Sequence, residues 1–134
     1  MRAVDTNVLV RLIARDSRQQ TAAAEEFIAK GAWVAHLVLA ETAWVLDSVY
    51  GLKTKQLALA IEMLLGHAQL TLQDAEVVEA ALENFRKRPA VSFTDNLVVE
   101  IARKSGHLPV GTFDRALSKL EGTQHLRLRE SSSR

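Results

Sequence analysis

Four carboxylates stand where a fold could bring them together: Asp5, Glu41, Asp95 and Asp114. Converging carboxylates repel. At an effective dielectric constant near 20, each close pair costs on the order of 4 kcal/mol. A fold keeps such a cluster when cations neutralise it, and all-oxygen donor sets suit Mg²⁺ or Mn²⁺. Those ions make water nucleophilic at neutral pH and place positive charge on phosphoryl and leaving oxygens, which is what phosphodiester hydrolysis demands. A bound metal would also hold a backbone phosphate. That matters here, because a formal net charge of +1 does not announce a nucleic-acid surface.

Each acid also has a plainer reading. Asp5, Asp95 and Asp114 lie where helices are expected to begin, so each could serve as an N-terminal cap or a partner of the helix dipole. Ser92-x-x-Asp95 resembles a capping box with Asp in place of Glu. Glu41 could be a solvated helix residue, but Leu37, Trp44 and Val45 surround it at helical spacing. In the helix of Asp95 the expected polar face carries Asn96, Glu100, Arg103 and Lys104. Asp95 is expected to turn toward Val98, Val99 and Ala102, where an unpaired charge is costly.

The elements that must position these residues alternate along the chain. A short strand at Ala3-Val4 precedes a helix over Thr6–Ala14. A second helix covers Arg18–Lys30, a strand Ala32–His36, and a long helix Leu37–Tyr50, ended by Gly51. Leu57, Ile61, Leu64 and Leu65 mark a helix closed by Gly66. Gln69–Leu72 reads as a strand, and Asp74 is placed to cap the helix of Val78, Ala81, Leu82 and Phe85. A helix over Phe93–Lys104, a strand over Leu108–Thr112, a short helix over Asp114–Leu120 and a strand over His125–Leu128 complete the order. Such alternation predicts an α/β domain with a mainly parallel sheet and helices on both faces. Sites in such domains form at the carboxyl ends of strands, where Asp5 and Asp114 fall.

Composition bounds the rest. A chain of 134 residues, 48% hydrophobic and 25% charged, is expected to form one domain over residues 1–129, with a disordered tail at 130–134. There is no cysteine, which excludes disulfides, thiolate zinc and thiol catalysis. The opening Met1-Arg2-Ala3-Val4-Asp5 leaves no room for a signal peptide, and no apolar run is long enough to span a membrane, so a cytoplasmic location is expected. His36, His67, His107 and His125 lack metal-ligand spacing. Trp33 and Trp44 read as core or interface residues rather than base-stacking platforms, and Arg86-Lys87-Arg88 as a solvated turn.

Asp5-Thr6-Asn7-Val8-Leu9, Leu39-Ala40-Glu41, Thr94-Asp95-Asn96-Leu97 and Thr112-Phe113-Asp114-Arg115-Ala116-Leu117 resemble, in order, the four acidic motifs of PIN domains. Among these the chain is most similar to the VapC-type toxins of toxin–antitoxin pairs. The resemblance implies a three-layer α/β/α sandwich with a central five-stranded, mainly parallel sheet in which the first and fourth strands are neighbours. It implies a Mg²⁺- or Mn²⁺-dependent endoribonuclease. Asp5 and Asp95 would be direct metal ligands, Glu41 and Asp114 would complete the site directly or through water, and the Thr112 hydroxyl would support it. One position departs from the pattern: many relatives carry a further acid where this chain has Ser92.

The resemblance also implies an RNA substrate and a small antitoxin whose basic tail inhibits the enzyme. A homodimer is expected independently, because the Leu37–Tyr50 and Leu57–Leu65 helices carry more apolar side chains than one sheet face can cover. Two rival readings stand beside this one. A haloacid-dehalogenase-like phosphatase would use Asp5 as nucleophile but wants an acid where Asn7 stands. A non-catalytic PIN scaffold would bind a partner without chemistry.

Overall fold

The computed structural model describes residues 1–129; the tail expected at 130–134 lies outside the described residues. The elements are β1 (Arg2–Ala3), α1 (Thr6–Ala14), α2 (Arg18–Ile28), β2 (Ala32–Val34), α3 (His36–Ser48), α4 (Thr54–Leu65), β3 (Leu70–Leu72), α5 (Ala75–Lys87), α6 (Phe93–Ser105), β4 (Val110–Thr112), a 3₁₀ turn (Leu117–Lys119) and β5 (Thr123–His125). Local chemistry accounts for several boundaries. Ser17 caps α2 by accepting from the Gln20 amide at 3.3 Å. Gly31, at φ +94°, turns the chain from α2 into β2, a conformation that favours glycine. Arg15, at φ +51°, ends α1.

The strands form two parallel ladders. One has the order β1-β2-β3, and the other pairs β4 with β5. The expected single five-stranded sheet is therefore not formed among the described residues: β1 and β4 each keep a free edge. The packing explains the division. Beneath β4 and β5 lies a separate small core of Val91, Val99, Leu117 and Leu120, seated on α6. The larger core gathers residues of α1 to α5, β2, β3 and the start of α6. The β4–β5 unit is thus anchored by apolar side chains rather than by a ladder to β1.

The first sheet is covered on one face. Ala32, Val34, Leu70 and Leu72 are buried, while Ala3, Trp33 and Thr71 on the alternate face are exposed. The expected three-layer sandwich is thus not complete at this sheet. The last strand also lies earlier than expected, at Thr123–His125 instead of His125–Leu128. It begins as soon as the chain leaves Gly122, at φ +93°, whose carbonyl accepts from the Val110 amide at 2.9 Å.

Helices α5 and α6 pack on each other, with Phe85 and Phe93 meeting edge to face at 6.3 Å. Asp74 precedes α5 but does not cap it. Its backbone is left-handed at φ +39°, and its carboxylate accepts from Lys104 Nζ at 2.9 Å. Lys104 also pairs with Glu76, so the end of α6 is tied to the start of α5. Hydrogen bonding to Lys104 holds the Asp74 and Glu76 carboxyls below their ordinary values. No helix among the described residues is long and apolar enough to cross a membrane.

Helix α6 reverses one expectation. Asn96 is fully buried and Glu100 nearly so, while Val98 is exposed. The polar residues face inward: Asn96 Nδ2 and the Glu100 carboxylate have partners there, while the buried Asn96 Oδ1 has none among the described residues. Asn96 Nδ2 donates to the carbonyls of Val91 (3.3 Å) and Ser92 (3.0 Å), holding the turn that leads into the helix. Glu100 accepts from Arg103 Nε at 3.3 Å and lies 3.5 Å from Asn84 Nδ2 of α5. Asp95 is half-buried, and Val98, toward which it was expected to turn, is exposed.

Candidate metal centre

Asp5 directly follows β1 and the buried Val4, and its carboxylate caps α1 by accepting from the Val8 amide at 3.3 Å. Thr6 opens α1, and its hydroxyl donates to Glu41 Oε2 at 3.1 Å. That bond joins the start of α1 to the second turn of α3, bringing the Asp5 motif to the Glu41 motif. Glu41 and Asp95 then share one cleft of about 400 Å³. Its walls include Ala40, Ala43, Leu57 and Phe93, and its polar groups are Glu41, Asp47, Ser92, Thr94 and Asp95. The Asp95 backbone amide donates to Ser92 Oγ at 3.0 Å, so Ser92 caps α6. No hydrogen bond or ion pair engages the Asp95 carboxylate among the described residues.

Asp114, like Asp5, does not line this cleft. Its carboxylate accepts from the Leu117 amide at 2.9 Å, and its own amide donates to Thr112 Oγ1 at 2.9 Å. Thr112 and Asp114 thus build the turn after β4 and cap the 3₁₀ turn that follows. Two of the three capping readings hold, for Asp5 and Asp114. At α6 the cap is Ser92, which leaves Asp95 free for other work.

Among the described residues, no three acidic or histidine side chains are close enough to form a metal cage. Glu41 and Asp95 are the two of the four acids that line this cleft, and both offer hard oxygen donors. Mg²⁺ dehydrates reluctantly, keeps several waters, and is commonly bound through one or two carboxylates plus substrate phosphate. The donors here are hard oxygens, and the Thr6 hydroxyl helps to fix Glu41.

Three further residues bear on this cleft. Thr6 sits inside the Asp5 motif, where its hydroxyl was legible as a neighbour but its reach to α3 was not. Asp47 lines the same cleft six residues beyond Glu41. Trp44, expected in core or interface, is not in the core: it is 64% exposed on the cleft wall. Its spacing of three from Glu41 was the available signal.

A family comparison matches residues 2–122 to the PIN domain. The chain belongs to the PIN domain family, whose members are in general metal-dependent nucleases. Comparison with curated proteins and with solved structures gives no match.

Proposed function

We propose that this chain is a Mg²⁺- or Mn²⁺-dependent endoribonuclease and that it acts as the toxin of a toxin–antitoxin pair. The observation that carries the nuclease reading is the shared cleft of Glu41 and Asp95, with Asp5 drawn toward it through the Thr6–Glu41 hydrogen bond. Glu41 and Asp95 would hold the ion, with Asp5 beside them. The ion would supply an activated water and charge on the phosphoryl oxygens. The protein's own part is positional. Thr6 fixes the Glu41 carboxylate, which is itself exposed to solvent, and Ser92 and Asn96 fix the first turn of α6.

A four-acid site requires more: the free edges of β1 and β4 would come side by side in a five-stranded order, carrying Asp114 and Thr112 toward Asp5. The toxin reading rests on the motif likeness. It includes a cytoplasmic location and an antitoxin whose Arg or Lys enters between Glu41 and Asp95. It also includes a homodimer that covers Leu59 and Met63 of α4, which are 60% and 50% exposed.

One observation favours a second reading. Asp5 and Asp114 are each occupied as caps, as a non-catalytic PIN scaffold would allow. A single experiment separates these possibilities. Pure protein is incubated with structured RNA and with a phosphomonoester, in Mg²⁺ or Mn²⁺ and in chelator. Metal-dependent RNA cleavage is the expected result. Phosphomonoester turnover would indicate a phosphatase, and inactivity toward both would favour the scaffold. The toxin reading has its own test: a small protein encoded beside this chain should co-purify with it and weaken its Mn²⁺ binding.

A further inference from the structure

We infer that Trp44 is a stacking platform for an unpaired nucleobase of the substrate, next to the phosphate held at Glu41 and Asp95. The inference rests on the nuclease reading and adds what the cleft beside the metal takes in. Tryptophan is usually well buried, because its large apolar face favours leaving water. Trp44 is 64% exposed, yet it lines the cleft that contains Glu41 and Asp95. It lies one helical turn beyond Glu41 on α3, so the Cβ atoms of the two residues are about 5–6 Å apart.

The chemistry of the cleft decides what fits. Its charged lining groups are Glu41, Asp47 and Asp95, and neither lysine nor arginine lines it. A phosphate is welcome there only at the metal; elsewhere in the cleft the three carboxylates repel it. A nucleobase is uncharged and flat. It can lie against the indole while its edge meets carboxylate, Ser92 and Thr94 oxygens. Carboxylates only accept hydrogen bonds, so the rim favours a base rich in N–H donors, which makes guanine the informative probe. A volume of about 400 Å³ leaves room for one base and part of its ribose. Stacking on an aromatic side chain would also supply affinity that a net charge of +1 does not. A basic side chain of a protein partner is the competing occupant, since a cation also seeks an indole face and carboxylates.

The test uses a Trp33→Phe, Asp5→Asn protein, in which Trp44 is the only tryptophan. It is titrated in Mn²⁺ with an octauridylate carrying one central guanine, and with the same octamer carrying an abasic ribose at that position. The guanine octamer should quench Trp44 fluorescence and bind more tightly. Read by the anisotropy of a fluorescein-labelled octamer, because these variants hold no tryptophan, Trp44→Ala should weaken guanine-octamer binding roughly 5- to 150-fold and leave abasic binding unchanged, while Trp44→Phe should keep most of the affinity. Equal binding of the two octamers, or equal losses on both in Trp44→Ala, would overturn the platform. So would an arginine-rich peptide that quenches Trp44 when RNA does not, or a Trp44→Ala protein that turns monomeric with RNA binding intact. Cleavage by the parental chain is followed separately. Base-dependent quenching without any cleavage would sink the nuclease and keep the platform, and cleavage without base dependence would do the reverse.

Discussion

Asp5 has two employments, and two substitutions separate them. Its carboxylate caps α1 through the Val8 amide, and it is proposed to stand at the metal. Asparagine caps a helix about as well as aspartate, whereas alanine gives up the cap at a cost of about 0.5–2 kcal/mol. A domain of this size gains roughly 0.3 kcal/mol of unfolding entropy per degree, from about 2.1 cal/mol/K per residue. Asp5→Ala should therefore melt roughly 2–7 °C below the parent, and Asp5→Asn within about 2 °C of it. Activity should follow a different rule. Both variants lose the negative charge that a divalent ion needs, so both should cut RNA on the order of 100-fold more slowly, or not at all. The assay is a thermal melt beside a timed RNA digestion in Mn²⁺, with chelator as the blank. An Asp5→Asn protein that cuts at near the parental rate would refute the reasoning and reduce Asp5 to a cap.

Other outcomes follow from particular contacts. Asn96→Ala removes a buried amide that holds the Val91 and Ser92 carbonyls; it should cost about 1–3 kcal/mol, read as a melting-temperature drop of roughly 4–11 °C, and should slow cleavage by loosening Asp95. The lowered Asp74 and Glu76 carboxyls contribute stability at neutral pH that is lost as pH falls through and below the ordinary carboxylate range. Lys104→Met should flatten that acid-side loss in a series of melts across pH, and high salt should shrink the parental effect because the groups are exposed. Leu59→Glu with Met63→Glu should convert a dimer to a monomer by light scattering at tens of micromolar; a parental mass already monomeric would end the dimer proposal.

What could be read from the residues divides along physical lines. Helices carry their signal locally, so Thr6–Ala14 was legible to the residue and Phe93–Ser105 to within one. The Ser92 cap was equally local. The inward turn of Asn96 and Glu100 was not, because polarity alone assigns such residues to the outside. Their partners, Asn84 and the Val91 carbonyl, come from α5 and the loop before α6. Asp74 looked like a cap until Lys104, thirty residues away, took its carboxylate. Strand pairing is non-local in the same way: three-residue strands such as Val110–Thr112 do not state their neighbours, and among the described residues β4 pairs with β5 alone. The site was legible as four acids. The joining of Glu41 to Asp95 in one cleft whose lining lacks Asp5 and Asp114 depends on packing that no single motif contains.

The small core under β4 and β5 bears on the order in which the chain becomes whole. Four buried side chains and a ladder of three residue pairs hold this unit, against the much larger cluster behind β2 and β3. Regions with few buried contacts open first, as a cooperative piece, while the rest stays folded. Amide hydrogens at Val110 and Leu126, bonded to the Gly122 and Thr112 carbonyls, should then exchange faster than those at Ala32 and Gln73 in the first sheet. Asp114 rides on the opening piece. A proteolytic cut or a binding segment that captures the open piece would strip the fourth acid from the molecule and leave Glu41 and Asp95 standing in an otherwise folded body.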